Sequence, residues 1–302
     1  MKLHQIFGTP PFVALGIAMT RILPPKVGYW IAARGARSMA RRRSLLFRTV
    51  RENLRHVAGD RVTPEELDAL AESAIAHAGR TYVDMFRRSV QDYTRSKQQI
   101  VAPVPEEWER AKEVLQDSRG TIIAGIHMSN FDLAAQWIAA QGSEIQALSL
   151  PNPNAGTRLL NALRRHRGLI VTPISAASLR AAVKRLRAGG IVATGVDRPA
   201  QDGGEMLPFF GSPARLSTGY IRLAQQTNSR ILVASCRQEP NGCYSIHIAP
   251  PIEPYRTGNR DEDARHTAQR VLAICEEMIR QAPDQWLMLV PVWEETASCP
   301  EE

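Results

Sequence analysis

The sequence predicts an α/β fold, a mixed sheet flanked by helices and preceded by a helical N-terminal segment. Three observations carry that expectation. Residues 10–100 read as helical throughout. From about residue 105, short apolar runs rich in β-branched residues alternate with helical stretches, which is the order of an α/β core. With 302 residues and a hydrophobic fraction of 44%, the chain is long and apolar enough to bury a sizeable core. The expected organisation is a helical region over residues 1–100 and an α/β core over 101–302, joined as one continuous unit.

The N-terminal apolar run from Phe12 to Leu23 is broken by Thr20 and Arg21 and bracketed by prolines. It is about a dozen residues, short of the roughly 20 that span a bilayer. One lysine, two early prolines and no small-x-small site make it a poor signal peptide. A helix lying on a membrane or packing on the body fits better. Behind it comes an amphipathic helix carrying Arg34, Arg37, Arg41, Arg42, Arg43, Arg48, Arg51 and Arg55. An apolar helix followed by an Arg-rich one is the composition of an interfacial anchor on anionic lipid. The alternative is a solvated basic face. A net charge of +8 directs the chain to anionic partners. Nucleic acid is not expected, since no binding motif accompanies the charge and aromatics are only 6% of residues.

Thr63-Pro64-Glu65-Glu66 combines an N-cap threonine, a first-turn proline and a glutamate three after the cap, a capping box. Leu67, Leu70, Ala71, Ala74, Ala78, Tyr82, Met85 and Phe86 continue it as an amphipathic helix. A helix over 106–116 and a buried strand in TIIAGI follow, then a helix over 130–140. Next come a helix near 157–165, a strand in LIVTPI, a helix over 176–187 and a strand in IVATGV. A helix near 217–226 precedes RILVASC and YSIHIAP, which flank Pro240-Asn241-Gly242 as a hairpin, and a helix over 261–281 ends the pattern. Cys236, Cys243, Cys275 and Cys299 show neither C-x-x-C pairing nor a histidine at metal spacing, so a reducing compartment is expected and no zinc or disulfide framework.

In such a sheet, ligand chemistry collects beyond the carboxyl ends of the strands. Two polar groups fall there, His127 after TIIAGI and Asp197-Arg198 after IVATGV. His127 stands five positions ahead of Asp132. Without catalysis, Ser129 would cap the following helix with Asp132 at N3. Five residues along a regular helix differ by about 140° in direction, so a catalytic pair needs His127 on the loop and Asp132 in the first turn. The carboxylate would then orient the imidazole, and His127 would take a proton from a substrate hydroxyl. No G-x-S-x-G occurs, which favours direct transfer over a covalent enzyme intermediate.

HMSNFDLA resembles the H-x4-D/E motif of the bacterial lipid A biosynthesis acyltransferase family, in the form seen in phosphatidylinositol mannoside acyltransferases. The resemblance extends over RENLRHV at Asn53, the element Arg164-Arg165-His166-Arg167-Gly168, VDRP at Asp197, LPFFG at 207–211 and APDQWLMLVPVW. It implies a glycerolphosphate-acyltransferase-like core and acyl transfer from acyl-CoA or acyl-carrier protein to a glycolipid hydroxyl. The site would be at the cytoplasmic face of the inner membrane, in a monomer with no metal or redox cofactor. By the same resemblance His127 is the general base and Asp132 its partner, and Arg164, Asp197, Arg198 and Glu205 serve substrate binding. Glu205 stands one residue further from FFG than the mannoside pattern has it, and Met288, Val290 and Val292 replace basic residues common after the QWL element. Phe209 and Phe210 read as core or acyl-tunnel packing, Trp286 and Trp293 as structural or interfacial. His56, His77, His166, His247 and His266, with no acid five residues on, read as surface or internally satisfied. The rivals are a lipid esterase or thioesterase in which His127 activates water, and a non-catalytic lipid-binding protein.

Overall fold

The computed structural model describes residues 10–88, 101–142, 144–165, 169–200 and 203–293. Residues 89–100, His166, Arg167, Gly168 and Cys299, about which the sequence raises expectations, lie outside that set.

Helices α1 (Pro10–Ile22), α2 (Pro25–Arg41), α3 (Leu45–Ala58) and α4 (Pro64–Arg88) come first. The Arg-rich stretch is two helices rather than one. The chain turns at Arg43, whose φ of 46° is left-handed, and Ser44 caps α3 by accepting from the Phe47 amide at 3.2 Å. The capping box at Thr63 forms as expected. The Glu66 amide donates to Thr63 Oγ1 at 3.2 Å, and the Thr63 amide donates to Glu66 Oε2 at 2.8 Å. Leu67, Ala71 and Ala74 of α4 then bury against Ala36 of α2 and against Phe47, Val50 and Leu54 of α3. A Cβ on Gly79 of α4 would stand 2.6 Å from the Cβ of Ala32, so glycine is what lets α2 and α4 approach there. No helix among the described residues is long and apolar enough to cross a membrane.

The rest is a mixed α/β unit. Its strands are β1 (Val101–Pro103), β2 (Thr121–Gly125), β3 (Ile145–Ser149), β4 (Leu169–Pro173), β5 (Ile191–Gly195), β8 (Arg230–Gln238) and β9 (Tyr244–Ile248). They form one seven-stranded sheet in the order β1-β9-β8-β2-β5-β3-β4. All neighbours are parallel except β8 and β9, the expected hairpin. Successive side chains of a strand point to opposite faces. Ile122 and Ala124 of β2 therefore enter a core covered by α8 (Ala176–Arg187), α9 (Gly219–Thr227) and α10 (Arg260–Gln281). Ile123 faces the other way, into a core covered by α5 (Pro105–Gln116) and α6 (Phe131–Ala140). Helix α7 (Ala155–Arg165) offers Leu159 and Leu160 to Phe86 of α4 and Ile17 of α1.

The sequence does not announce β1 or β3, which are only three and five residues long. Nor does it announce the hairpin β6 (Glu205–Phe209) and β7 (Ser212–Leu216). Pro208 and Pro213 argue against strands there. They sit opposite each other on a two-stranded ribbon, both exposed, and the one bridge made to it, from Pro199, falls at Leu216, away from both. The turn is Phe210-Gly211, with φ of 49° and 76°, so the conformation of a hairpin turn with two positive φ angles falls in the LPFFG motif.

Beyond α10, the 3₁₀ turn Pro283–Gln285 leads into a strap that crosses the ends of β2 and α3. Asn53 of α3 holds it. Its Nδ2 donates to Met288 O at 3.0 Å and Val290 O at 2.8 Å, and its Oδ1 accepts from the Val292 amide at 3.1 Å. Asn53→Ala would leave these groups without a partner in a buried setting, and should cost about 3 kcal/mol. Urea unfolding of the variant beside the parent protein measures it.

Candidate active site

Strands β2 and β5 run side by side and in register, with Gly125 opposite Gly195. Two residues past each glycine lie His127 and Asp197, so equal offsets on adjacent parallel strands bring together groups 70 positions apart. Asp197 is fully buried and takes three hydrogen bonds. His127 Nδ1 lies 2.6 Å from Oδ1, the His127 amide donates to Oδ2 at 3.0 Å, and Trp286 Nε1 donates to Oδ2 at 2.8 Å. Burial alone pushes this carboxyl's pKa up. The His127 charge and the bonds from imidazole, indole and amide outweigh it and hold the pKa below the ordinary carboxylate value. The imidazole is mostly covered, with 17% of its side chain exposed. It lies against Gly195, where a Cβ would come within 2.3 Å of His127 Cε1. Phe131 meets it edge-on, 5.0 Å between centroids.

The carboxylate on His127 Nδ1 is thus Asp197, whereas the spacing pointed to Asp132. Asp132 is buried at the second position of α6. The cap also differs from expectation. Asn130, not Ser129, caps α6, accepting from the Leu133 amide at 3.4 Å, so Asp132 falls at N2 rather than N3. Ser129 is fully buried with a left-handed φ of 42°, and its Oγ is 2.9 Å from His77 Nε2. His77, read as a surface or satisfied histidine, is buried and satisfied by the loop that carries His127.

The remaining expected residues fall in different places. Arg198 follows Asp197, and its Nε is buried with no hydrogen-bond partner among the described residues. Arg164 lies in α7. Glu205 braces the β6–β7 hairpin against two helices. Its Oε1 accepts from Thr218 Oγ1 at 2.9 Å and Arg222 Nη2 at 3.0 Å, and Arg265 Nε is 3.9 Å from Oε2. Those partners, not His127 or Asp197, surround its carboxylate. Phe209 and Phe210 are buried in a cluster with Trp286 and Trp293, with neighbouring centroids 4.7–6.3 Å apart. Trp293 also stacks on His56 at 4.0 Å. Sequence reasoning missed Gly195 as the space for the imidazole and Trp286 as the third donor to Asp197. The second lay in a quoted motif, and a buried indole N–H in want of an acceptor was the available signal.

The fold is thus a mixed α/β sheet flanked by helices, with a carboxylate-backed histidine beyond its central strands and an arginine one residue from that carboxylate. The sequence profile of the family described as bacterial lipid A biosynthesis acyltransferase matches residues 3–295. The chain belongs to this family and is an acyltransferase. It is 24% identical over 286 residues to a phosphatidylinositol mannoside acyltransferase of Mycolicibacterium smegmatis, covering 93% of this chain and 90% of that protein. It is likewise 24% identical over 249 residues to one of Mycobacterium tuberculosis, covering 81% of this chain and 76% of that one.

Burial pushes the His77 imidazole down to about 4, with Asp284 opposing and Arg80 adding to the shift. A histidine that binds its proton more weakly folded than unfolded costs stability as pH falls. Its contribution is complete above about 6.5 and is lost progressively toward pH 4, roughly 3 kcal/mol in all. His77→Gln removes the titration. Urea unfolding across this window should therefore show a flatter stability profile for the variant than for the parent, by about that amount.

Proposed function

We propose that the protein transfers a long-chain acyl group from an acyl thioester, acyl-CoA or acyl-carrier protein, to a hydroxyl of a glycolipid, with His127 as the general base. The observation that carries this is the His127–Asp197 pair. Asp197 accepts from Nδ1–H, and in the neutral imidazole this leaves the Nε2 lone pair to act as base. The acceptor hydroxyl gives its proton to Nε2 as its oxygen attacks the thioester carbonyl carbon. The C–S bond then breaks, the new ester remains on the glycolipid, and the thiolate leaves and takes up the proton. The thioester is already activated, so the step needs no metal or redox cofactor. Arg198, whose Nε lacks a partner, suits an anionic group of donor or acceptor, and Arg164 is a second candidate.

The acceptor reading follows the relatives' names, a phosphatidylinositol mannoside or a lipid A-type glycolipid. We place the enzyme as a monomer at the cytoplasmic face of the inner membrane. Support comes from the first two helices, where Leu15, Met19, Ile22, Trp30 and Ile31 are exposed. Arg41, Arg42 and Arg48, at the end of the second helix and on the third, are exposed and have no acidic partner among the described residues. This pairing of apolar and unpaired basic side chains fits an anionic lipid surface.

Two measurements test the reading. Palmitoyl-CoA and vesicles containing phosphatidylinositol mannoside or a lipid A precursor, analysed by mass spectrometry, should give an acceptor heavier by one acyl chain. His127→Ala should lower the rate by about 10² to 10⁴, and Asp197→Asn should fall in the same direction. Free fatty acid released equally with and without acceptor would instead make it a hydrolase. In vesicle sedimentation, Arg41→Gln with Arg42→Gln should weaken binding to phosphatidylserine-containing vesicles by about 2 kcal/mol, roughly 30-fold. Unchanged binding would remove this face from the anchor.

A further inference from the structure

Helix α4 carries a polar stripe on a face that is otherwise apolar. His77, Thr81 and Asp84 recur at helical spacing, and all three are buried. His77 and Asp84 spend their side chains on other elements, while Thr81 spends its backbone carbonyl, its hydroxyl having no hydrogen-bond partner among the described residues. His77 Nε2 lies 2.9 Å from Ser129 Oγ, the carbonyl of Thr81 accepts from Asn130 Nδ2 at 3.3 Å, and Asp84 accepts from Tyr244 Oη at 2.5 Å. Two of the three therefore grip consecutive residues of the loop between His127 and α6.

The gripped loop is strained. A left-handed φ at a residue with a Cβ persists only where its surroundings hold it. Ser129, at φ 42°, is held at both ends, its amide donating to Gln285 O at 2.8 Å and its hydroxyl meeting His77. That turn sets the direction in which the chain leaves β2. It lets the His127 amide reach Asp197 at 3.0 Å and the His127 carbonyl accept from the Leu287 amide at 2.7 Å. Asn130 next to it begins α6. The hydroxyl clamp is thus two residues from the imidazole whose placement against Asp197 the chemistry needs.

We propose that His77 is a positioning residue for His127, acting through the hydroxyl of Ser129. The proposal rests on the reading of His127 as the base. His77 never touches substrate; it fixes the left-handed turn that aims the imidazole. A merely structural His77 would change stability and leave the catalytic rate per folded molecule intact. A positioning His77 lowers kcat with little change in KM for either substrate, since displacement of about 1 Å at a reacting group costs on the order of 10²-fold.

The experiment uses the full chain in four variants, His77→Ala, His77→Gln, Ser129→Gly and the double variant His77→Ala/Ser129→Gly. Each is checked for folding by circular dichroism. His77→Ala should lose 10- to 100-fold in kcat, and His77→Gln, whose amide nitrogen can stand where Nε2 stood, should recover most of it. Glycine takes a left-handed φ without a clamp. In the Ser129→Gly background, His77→Ala should therefore cost less than 2-fold further. An equal loss in both backgrounds, or an unchanged kcat in folded His77→Ala, would overturn the proposal. If His77→Ala does not fold, Ser129→Ala removes the same contact from the other side and is read by the same criteria. A second readout needs no substrate. Carbethoxylation of His127 by diethyl pyrocarbonate, followed by peptide mass spectrometry, should be several-fold faster in His77→Ala than in the parent and His77→Gln. Equal rates would also overturn the proposal. A parent protein that transfers no acyl group would count against the functional reading alone, and the carbethoxylation rates would still decide the clamp.

Discussion

A single buried charge organises this molecule. Asp197 has no exposure, and an isolated carboxylate in such a place would take up a proton rather than stay ionised. It stays ionised because donors reach it from two other parts of the chain, the loop after β2 and the strap after α10. Satisfying one carboxylate therefore ties together three segments that are remote in sequence. It also dictates their neighbours. Gly195 must lack a side chain for the imidazole to lie over β5. Trp286 must be buried for its indole to reach the oxygen, and it is almost completely so.

The burial of Trp286 has its own requirements. The indole packs in the aromatic cluster with Phe209, Phe210 and Trp293. Phe210 can join only because it occupies a left-handed turn position that a bulky residue adopts at a cost. That cost is met locally. The Phe210 amide donates to Glu276 Oε1 at 2.6 Å, and the Arg280 guanidinium sits 4.8 Å from the ring centroid. Trp293 closes the cluster by donating to the Phe209 carbonyl at 3.3 Å and stacking on His56. The hairpin, the last helix and the strap are thus one support for the indole on Asp197. This is why LPFFG and QWL, motifs without ionisable side chains at the site, matter to its geometry.

Much of the fold was legible because period and length speak locally. The long helices, the central strands and the β8–β9 hairpin stand where the patterns put them. The capping box at Thr63 could be read from four letters. What stays hidden is non-local. His127 and Asp197 both read as strand-end polar groups and the spacing offers Asp132 to the histidine, whereas the structure puts Asp197 on its Nδ1. Sequence distance favoured Asp132, whereas register favoured Asp197, and only the adjacency of β2 and β5 reveals register. Had those strands been known to be neighbours, equal offsets from Gly125 and Gly195 would have supplied the answer. Ser129 misled for the reverse reason. Its type and position suit a cap, but its hydroxyl is taken by His77 of α4, a contact with no local signature.

Charge shows the same division. Eight arginines between residues 34 and 55 read as one basic face. In three dimensions Arg37 meets Glu72, Arg43 and Arg51 share Asp68, and Arg55 pairs with Glu52. These pairs hold α2 and α3 on α4 or brace α3 internally. Of the eight, Arg34, which stands over the Trp30 ring at 5.6 Å, and Arg41, Arg42 and Arg48 have no acidic partner among the described residues, a narrower field than composition suggested. Helix α4 is the common partner. One face receives the arginine-bearing helices, and a polar stripe grips the loop of His127. The basic face carried by α2 and α3 and the loop of His127 are thereby tied to the same helix. If, as proposed, that face meets lipid and His127 is the base, a shared rigid element would limit how far an acceptor hydroxyl at the surface and the imidazole can drift apart, which direct transfer with no enzyme-bound intermediate requires.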